Sequence, residues 1–239
     1  MTEKLLLAEQ KELLKSIKSA HKELVTKTRY SLDKSLLEQH INNSHDFENA
    51  YFKATLINAF YSTRMGADLV YQAARHIANI HNQNLIKQII QKNSIDEDDL
   101  NNINIFCHKK LSRDKLNENR EDYNPYSFFT KYLAIHDRIV NKKEESKLPI
   151  YDTLVEKVIK SSDLVAGRFN LRNYSSLFKT LNIIGEYYGG FSSIDNILWT
   201  LGRFIFQNKQ KKEDQILIFK RRLSSGSISE LVKEIILMK

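Results

Sequence analysis

Two charged side chains stand alone in apolar surroundings, and both are of types that do chemistry. Lys131 is the only charge between Pro125 and Ile135, and Asp152 is the only charge between Leu148 and Val155. Burial disfavours the charged form of an amine and leaves it nucleophilic. An ionised carboxylate stabilises positive charge in a transition state or orients a nucleophile. Each residue also has a plainer use. A lysine stem packs while its ammonium reaches water, and a carboxylate at a helix start offsets the helix dipole.

The other chemistry-bearing residues form no comparable pattern. His21, His40, His45, His76, His81, His108 and His136 contain no pair at i, i+4 that would hold a metal from one helix face, and Cys107 is the only cysteine. Disulfide frameworks and cysteine-rich zinc sites within one chain are excluded. There is no glycine-rich phosphate loop, no GxSxG and no HExxH. Phosphoryl transfer and metallohydrolysis have little support, and no cofactor or metal is expected.

The elements that must position Lys131 and Asp152 are helices. Seven glycines and two prolines in 239 residues are too few for a turn-rich β fold. Leu, Ile, Lys, Glu, Asn and Gln dominate, which predicts an all-α chain. Pro125 and Pro149 each precede an apolar run and read as helix starts. The run after Pro125 is apolar almost all round, as in a buried helix. The charged residues 141–147 read as a flexible loop between the two runs.

Elsewhere the periodicity predicts an amphipathic helix over 3–28 and a short helix capped by Ser31 or Asp33 and reaching Ile41. Ser44 reads as the cap of a helix through Tyr51, Asn58 and Phe60, interrupted by Gly66. One helix then carries Leu69 to Ile80, with Arg75 and His76, and another covers 84–92. Ser94 or Asp96 caps the next turn, and the acidic run Asp96-Glu97-Asp98-Asp99 reads as a solvated cap without chemistry. Residues 108–122 alternate in charge like a surface linker. Asn173 or Ser175 starts a helix that ends at Gly185 or at Gly189-Gly190. Ser192 or Ser193 caps a helix over 194–206, which holds Trp199. A basic cluster (Lys209, Lys211, Lys212, Lys220, Arg221, Arg222) precedes a last amphipathic helix from about Ser227.

The formal net charge of +8 favours a polyanionic partner, nucleic acid before an anionic membrane surface. The apolar run at the start is too short for a signal peptide and no stretch spans a bilayer, so a cytoplasmic protein is expected.

The stretch Ser127-Phe128-Phe129-Thr130-Lys131 resembles the lysine-bearing element of the helix-hairpin-helix superfamily of DNA glycosylases, and Leu148-Pro149-Ile150-Tyr151-Asp152 resembles its aspartate-bearing element at a similar separation. Phe60-Tyr61-Ser62-Thr63-Arg64 is similar to a signature of divergent members, and Asp195 to Gly202 to their closing helix. The resemblance covers roughly residues 45–205. It departs from the family at the hairpin, because Glu121 to Ser127 contains no glycine where backbone amides usually approach a phosphate.

The resemblance implies a two-lobed helical domain over 44–207, and the pattern of the chain outside it adds an N-terminal helical arm at 1–43 and a basic C-terminal appendage at 208–239. It implies an enzyme that flips a base out of double-stranded DNA and cuts the bond to its sugar. Asp152 is then the charge stabiliser and Lys131 the Schiff-base amine of a bifunctional member. Base-pocket candidates are Asn58, Tyr61, His136, Tyr151 and Trp199. Contacts to DNA would come from Lys53, Arg64, Arg75, Asn124, Ser127, Lys209, Lys211 and Lys212. The substrate would be a modified or damaged base, with modified phage DNA the sharper expectation for a divergent prokaryotic member, and the enzyme a monomer. Two readings compete with it: a non-catalytic nucleic-acid binder that kept the fold, and a helical interaction protein assembling through 3–28 and 227–238.

Overall fold

The computed structural model describes residues 39–61, 63, 65–112, 122–143, 146–162, 170–188, 195, 198, 199 and 202, with backbone alone at 60, 161–162 and 183–188. Among the described residues the chain is helical, as expected. The helices are α1 Phe47–Phe60, α2 Ala67–Ile77, α3 Ile80–Gln91, α4 Glu97–Cys107, α5 Tyr126–Val140, α6 Thr153–Ser162 and α7 Tyr174–Tyr188. Extended pairing among these residues is limited to an isolated antiparallel bridge between Leu111 and Tyr123. No described helix is long and apolar enough to cross a membrane.

The chain divides into two compact units. The larger comprises residues 32–151 and 169–179, and the smaller comprises 1–31, 152–168 and 180–239.

The larger unit is built around α5. Eleven of its fifteen residues are buried, which is how a helix that is apolar all round must sit. It packs against α1, α3 and α4, while α1 lies along α2. The neighbours present narrower stripes: Ala50, Lys53, Ala54 and Ile57 from α1, Val70, Ala73, Ala74 and Ile77 from α2, and Leu100, Ile103 and Phe106 from α4. These spacings of three and four place one face of each helix in the core. His76 stacks on Phe106 at 4.9 Å and meets Phe129 edge-on at 5.1 Å. Its Nε2 donates to the Phe106 carbonyl at 3.0 Å and its Nδ1 accepts from Asn82 at 3.1 Å, so His76 is a half-buried structural histidine.

Several helix starts differ from the sequence expectation for reasons of capping. Asp46, not Ser44, caps α1: its carboxylate accepts the Asn49 N–H at 3.0 Å, and the Ser44 hydroxyl donates to it. A charged acceptor suits the helix dipole better than a hydroxyl. That backbone hydrogen bond, with side-chain donors Ser44 and Asn49, holds the Asp46 carboxyl down at about 2. The helix expected to run to Ile80 stops at Ile77, and Asn79 caps α3 by accepting the His81 N–H at 3.0 Å. The acidic run is a cap, as expected: Asp96 and Asp99 form a reciprocal capping box, and the Lys92 ammonium meets Asp99 at 2.7 Å and Asp96 at 3.0 Å. Asn173 caps α7, which runs through Gly185 to Tyr188, and Gly189-Gly190 lie outside the described residues.

In the smaller unit, Asp195, Leu198, Trp199 and Gly202 are helical. A Cβ added to Gly202 would lie 2.7 Å from the Leu154 Cβ, so this position needs glycine for close approach. The arm at 3–28, the caps at Ser31 and Asp33, and the basic cluster lie outside the described residues. Of the short helix expected to reach Ile41, Gln39 and His40 are helical and Ile41 is not.

Candidate functional site

Lys131 lies midway along α5 and is 7 % exposed, so its side chain does not project into bulk water. Both of its polar neighbours on the helix are spoken for. The Ser127 hydroxyl donates to the Tyr151 carbonyl at 2.9 Å, and the Thr130 hydroxyl accepts the Tyr151 N–H at 3.1 Å while donating to the Ser127 carbonyl at 3.1 Å. A buried hydroxyl without a partner is costly, and here one backbone residue satisfies two of them.

The segment that follows α5 is tied back onto it. Asp137 is fully buried on α5 and accepts from the Ser146 hydroxyl at 2.8 Å, the Lys147 N–H at 2.9 Å and the Asn141 amide at 2.8 Å. The Lys147 ammonium lies 3.6 Å from the same carboxylate. It also donates to the Ile90 carbonyl at 3.0 Å and to the Lys92 carbonyl, where α3 leaves such acceptors free. The part of 141–147 around Ser146 and Lys147 is therefore anchored rather than loose. Tyr174 donates its hydroxyl to the Pro149 carbonyl at 3.3 Å, and the Arg172 Nε donates to the Tyr151 hydroxyl at 3.3 Å.

Asp152 opens the smaller unit's second segment, whereas Lys131 belongs to the larger unit. Its carboxylate accepts the Leu154 N–H at 2.8 Å and its carbonyl accepts the Glu156 N–H at 2.9 Å. Asp152 thus occupies the cap position of α6. Pro149 stands three residues ahead of it and not in the first helical turn, because residues 149–151 are held by hydrogen bonds from Tyr174 and Ser127 and by the Tyr151 N–H that Thr130 accepts. Pro125 does precede α5 directly, as its cap residue.

The pocket candidates have different surroundings. Asn58 is committed to the turn after α1: its amide donates to the Met65 carbonyl at 2.9 Å and accepts the Met65 N–H at 2.9 Å and the Thr63 hydroxyl at 2.6 Å. Tyr151 is buried, and Tyr61 and Trp199 are half-buried. His136 sits in a buried polar cluster on the larger unit. Its ring stacks parallel to Tyr132 at 5.7 Å and lies 4.4 Å from His45, whose Nδ1 pairs with the Tyr132 hydroxyl at 3.0 Å. Burial, then the charges of Lys53 and His45, pushes His136 well below the usual histidine value. Burial, then Lys53 and Lys87, lowers His45 to about 4, against a smaller opposing pull from Asp46.

Of the expected DNA contacts, Arg75 is exposed on α2. Lys53 is 0 % exposed, and its ammonium donates to the Asn42 carbonyl at 2.6 Å and to the Ser44 carbonyl, so it is a buried clamp and not a surface cation. Burial lowers it to about 8. Asn124 accepts the Tyr126 N–H at 3.1 Å and donates to His108 at 3.3 Å. His108 in turn donates to the Arg172 carbonyl at 2.5 Å. Arg64, Lys209, Lys211 and Lys212 lie outside the described residues.

A further cation escaped the sequence reading. Arg138 follows Lys131 by seven residues on α5, which puts the two on one helix face. Its Nε and Nη2 are buried without a hydrogen-bond partner. Such a guanidinium is preorganised for an anionic oxygen. A sequence signal existed, since it ends an apolar stripe at the spacing of Lys131. No group of three or more metal-ligating side chains occurs among the described residues.

Compared with family models, with curated proteins and with solved structures, the chain shows no match.

Proposed function

We propose that this chain is a DNA N-glycosylase in which Asp152 stabilises positive charge at C1′ and Lys131 attacks that carbon. The observation that carries the reading is Lys131 itself, a lysine 7 % exposed in the middle of an apolar helix. Asp152 stands at the cap position of α6, where its carboxylate accepts the Leu154 N–H. The resemblance of the two surrounding stretches to the glycosylase elements supplies the reaction class.

In the proposed reaction the Lys131 Nζ adds to C1′ as the bond from C1′ to the base breaks. The base leaves with the bonding pair and takes up a proton. Loss of the ammonium proton and opening of the sugar ring give an imine. Removal of a C2′ proton then expels the 3′ phosphate by β-elimination. If water adds in place of the amine, an abasic site remains. In the narrower form of the proposal the base is a modified cytosine in phage DNA, such as a glucosylated hydroxymethylcytosine. Tyr61, Tyr151 and His136 would line such a pocket.

A second reading, a nucleic-acid binder without catalysis, draws support from the segment before α5. Glycine is absent there, and Asn124 and Ser127 spend their side chains within the fold. Counting aldehyde-reactive abasic sites in modified-cytosine DNA, in unmodified DNA and in DNA with oxidised or deaminated bases separates the readings. Sites confined to the modified DNA support the narrower proposal. Sites confined to damaged DNA place the enzyme in general base repair, and no sites with salt-dependent binding favour the second reading.

A further inference from the structure

We propose that His45 is the moving half of an acid-sensitive latch: its ring holds residues 41–46 against α5 at neutral pH, and on taking up a proton it releases that segment while α5 stays folded. Every group involved belongs to the larger unit, and the inference does not depend on the glycosylase reading.

Residues 41–46 are the non-helical stretch that leads into α1. Side chains hold it to the core of the unit. Ile41 and His45 are buried, and the His45 Nδ1 pairs with the Tyr132 hydroxyl at 3.0 Å. The Lys53 ammonium donates to the Asn42 carbonyl at 2.6 Å and to the Ser44 carbonyl. The His45 ring rests on His136 at 4.4 Å, and His136 stacks on Tyr132 at 5.7 Å. Tyr132 and His136 are buried on α5, whose backbone is held by its own helical hydrogen bonds. His45 is carried by a segment that has no such ladder. Local opening therefore moves His45 and leaves its two ring partners in place.

The Nε2 atoms of both histidines are buried without a hydrogen-bond partner. Such atoms cost stability, and a phenylalanine ring would fill similar space without that cost. What imidazole adds is a site for a proton. Among the described residues, the charged groups acting on the two rings are Lys53 from α1, Lys87 from α3 and Asp46 at the cap of α1. Both lysines oppose a further positive charge. Asp46 favours one more weakly, and its carboxyl sits at about 2, so its charge is constant while His45 titrates. Burial keeps the Tyr132 hydroxyl from ionising. A protonated His45 would thus bring an Nε2–H without an acceptor, and a second charge beside the buried Lys53. Carried into water with its segment, the ring returns to the ordinary histidine value of about 6.5. In the closed segment it sits at about 4. The closed form is therefore favoured in full above about pH 6.5 and loses ground as pH falls towards about 4.

The test is native-state amide exchange on the full chain, corrected for the intrinsic effect of pH on exchange. The probes are the N–H groups of Ser44, Asn49 and Ala50, which bond to Asn42 and Asp46, with the buried residues of α5 as the reference. Small urea additions below the unfolding transition separate local from global opening. Release of a short segment exposes little surface, so exchange at the three probes should not respond to urea, whereas exchange in α5 should. From about pH 8 to about pH 5, protection at the probes should fall by about 30-fold, the linkage of one histidine between its closed and open values. In His45→Phe the fall should shrink to a few-fold. Equal protection of the wild-type probes at the two pH values would overturn the latch. So would probes that share the urea response and protection of α5, since only the whole unit would then open. An undiminished fall in a folded His45→Phe would remove His45 from the role.

Discussion

The imidazole rings of His45 and His136 lie 4.4 Å apart, each about 1 % exposed, and neither Nε2 has a hydrogen-bond partner. Two uncharged histidines with Lys53 and Lys87 as neighbours form a core that cannot accept protons without repulsion. Both histidines titrate lower in the fold than in the unfolded chain, so the unfolded state binds protons first. The stability they protect is complete above about pH 6.5 and is lost as pH falls towards about 4. For His45 alone the loss between pH 8 and pH 5 is about 2 kcal/mol. Urea denaturation at the two pH values measures it, and the dependence should flatten in His45→Phe. Equal midpoints for the wild type would show that the pair is not buried uncharged.

Arg138 carries a prediction for stability and one for DNA binding. Removing a guanidinium whose Nε and Nη2 are buried without partners should raise stability by about 1 kcal/mol in Arg138→Met. If that group meets a DNA phosphate, the same variant binds DNA more weakly and its log–log salt slope falls by about 0.9. Thermal denaturation and salt-dependent anisotropy read the two effects. A variant that is less stable and binds normally would place Arg138 in the fold alone.

The two described glycines with contrasting surroundings should respond oppositely to alanine. Gly202→Ala drives a Cβ to 2.7 Å from Leu154 and should cost about 1–3 kcal/mol. Gly66 has nothing within 4 Å of such a Cβ, so Gly66→Ala should change stability by less than about 1 kcal/mol. Denaturation midpoints of the two variants provide the comparison, and an unperturbed Gly202→Ala would mean that the helix at 202 does not approach Leu154 closely.

The helices were legible because their signals are local. The burial of α5 follows from a run with one charge in ten residues, and the cap at Asp96 from acids placed just before a periodic stretch. Lys53 was misread because a lysine suggests surface, although its spacing with Ala50, Ala54 and Ile57 puts it on the buried stripe. On the same helix Phe47, Tyr51 and Phe52 face outward, so hydrophobicity alone inverts the face. Asn58, Asn124 and Ser127 looked available because most of the groups that occupy them are backbone atoms, and sequence spacing carries no sign of those partners. The hydroxyl contacts to Tyr151 were hidden for the same reason, though two hydroxyls just ahead of a lone lysine on an apolar helix must find partners somewhere.

The most direct measurement of the central claim compares base release by wild type and Asp152→Asn under single-turnover conditions, with DNA affinity measured in parallel. The isostere keeps an oxygen for the Leu154 N–H and loses the charge that the proposed mechanism places at C1′. Release should fall by at least about 100-fold while affinity stays within a few-fold of wild type. Release by Asp152→Asn within a few-fold of wild type would contradict the assignment of Asp152, and with it the proposed mechanism.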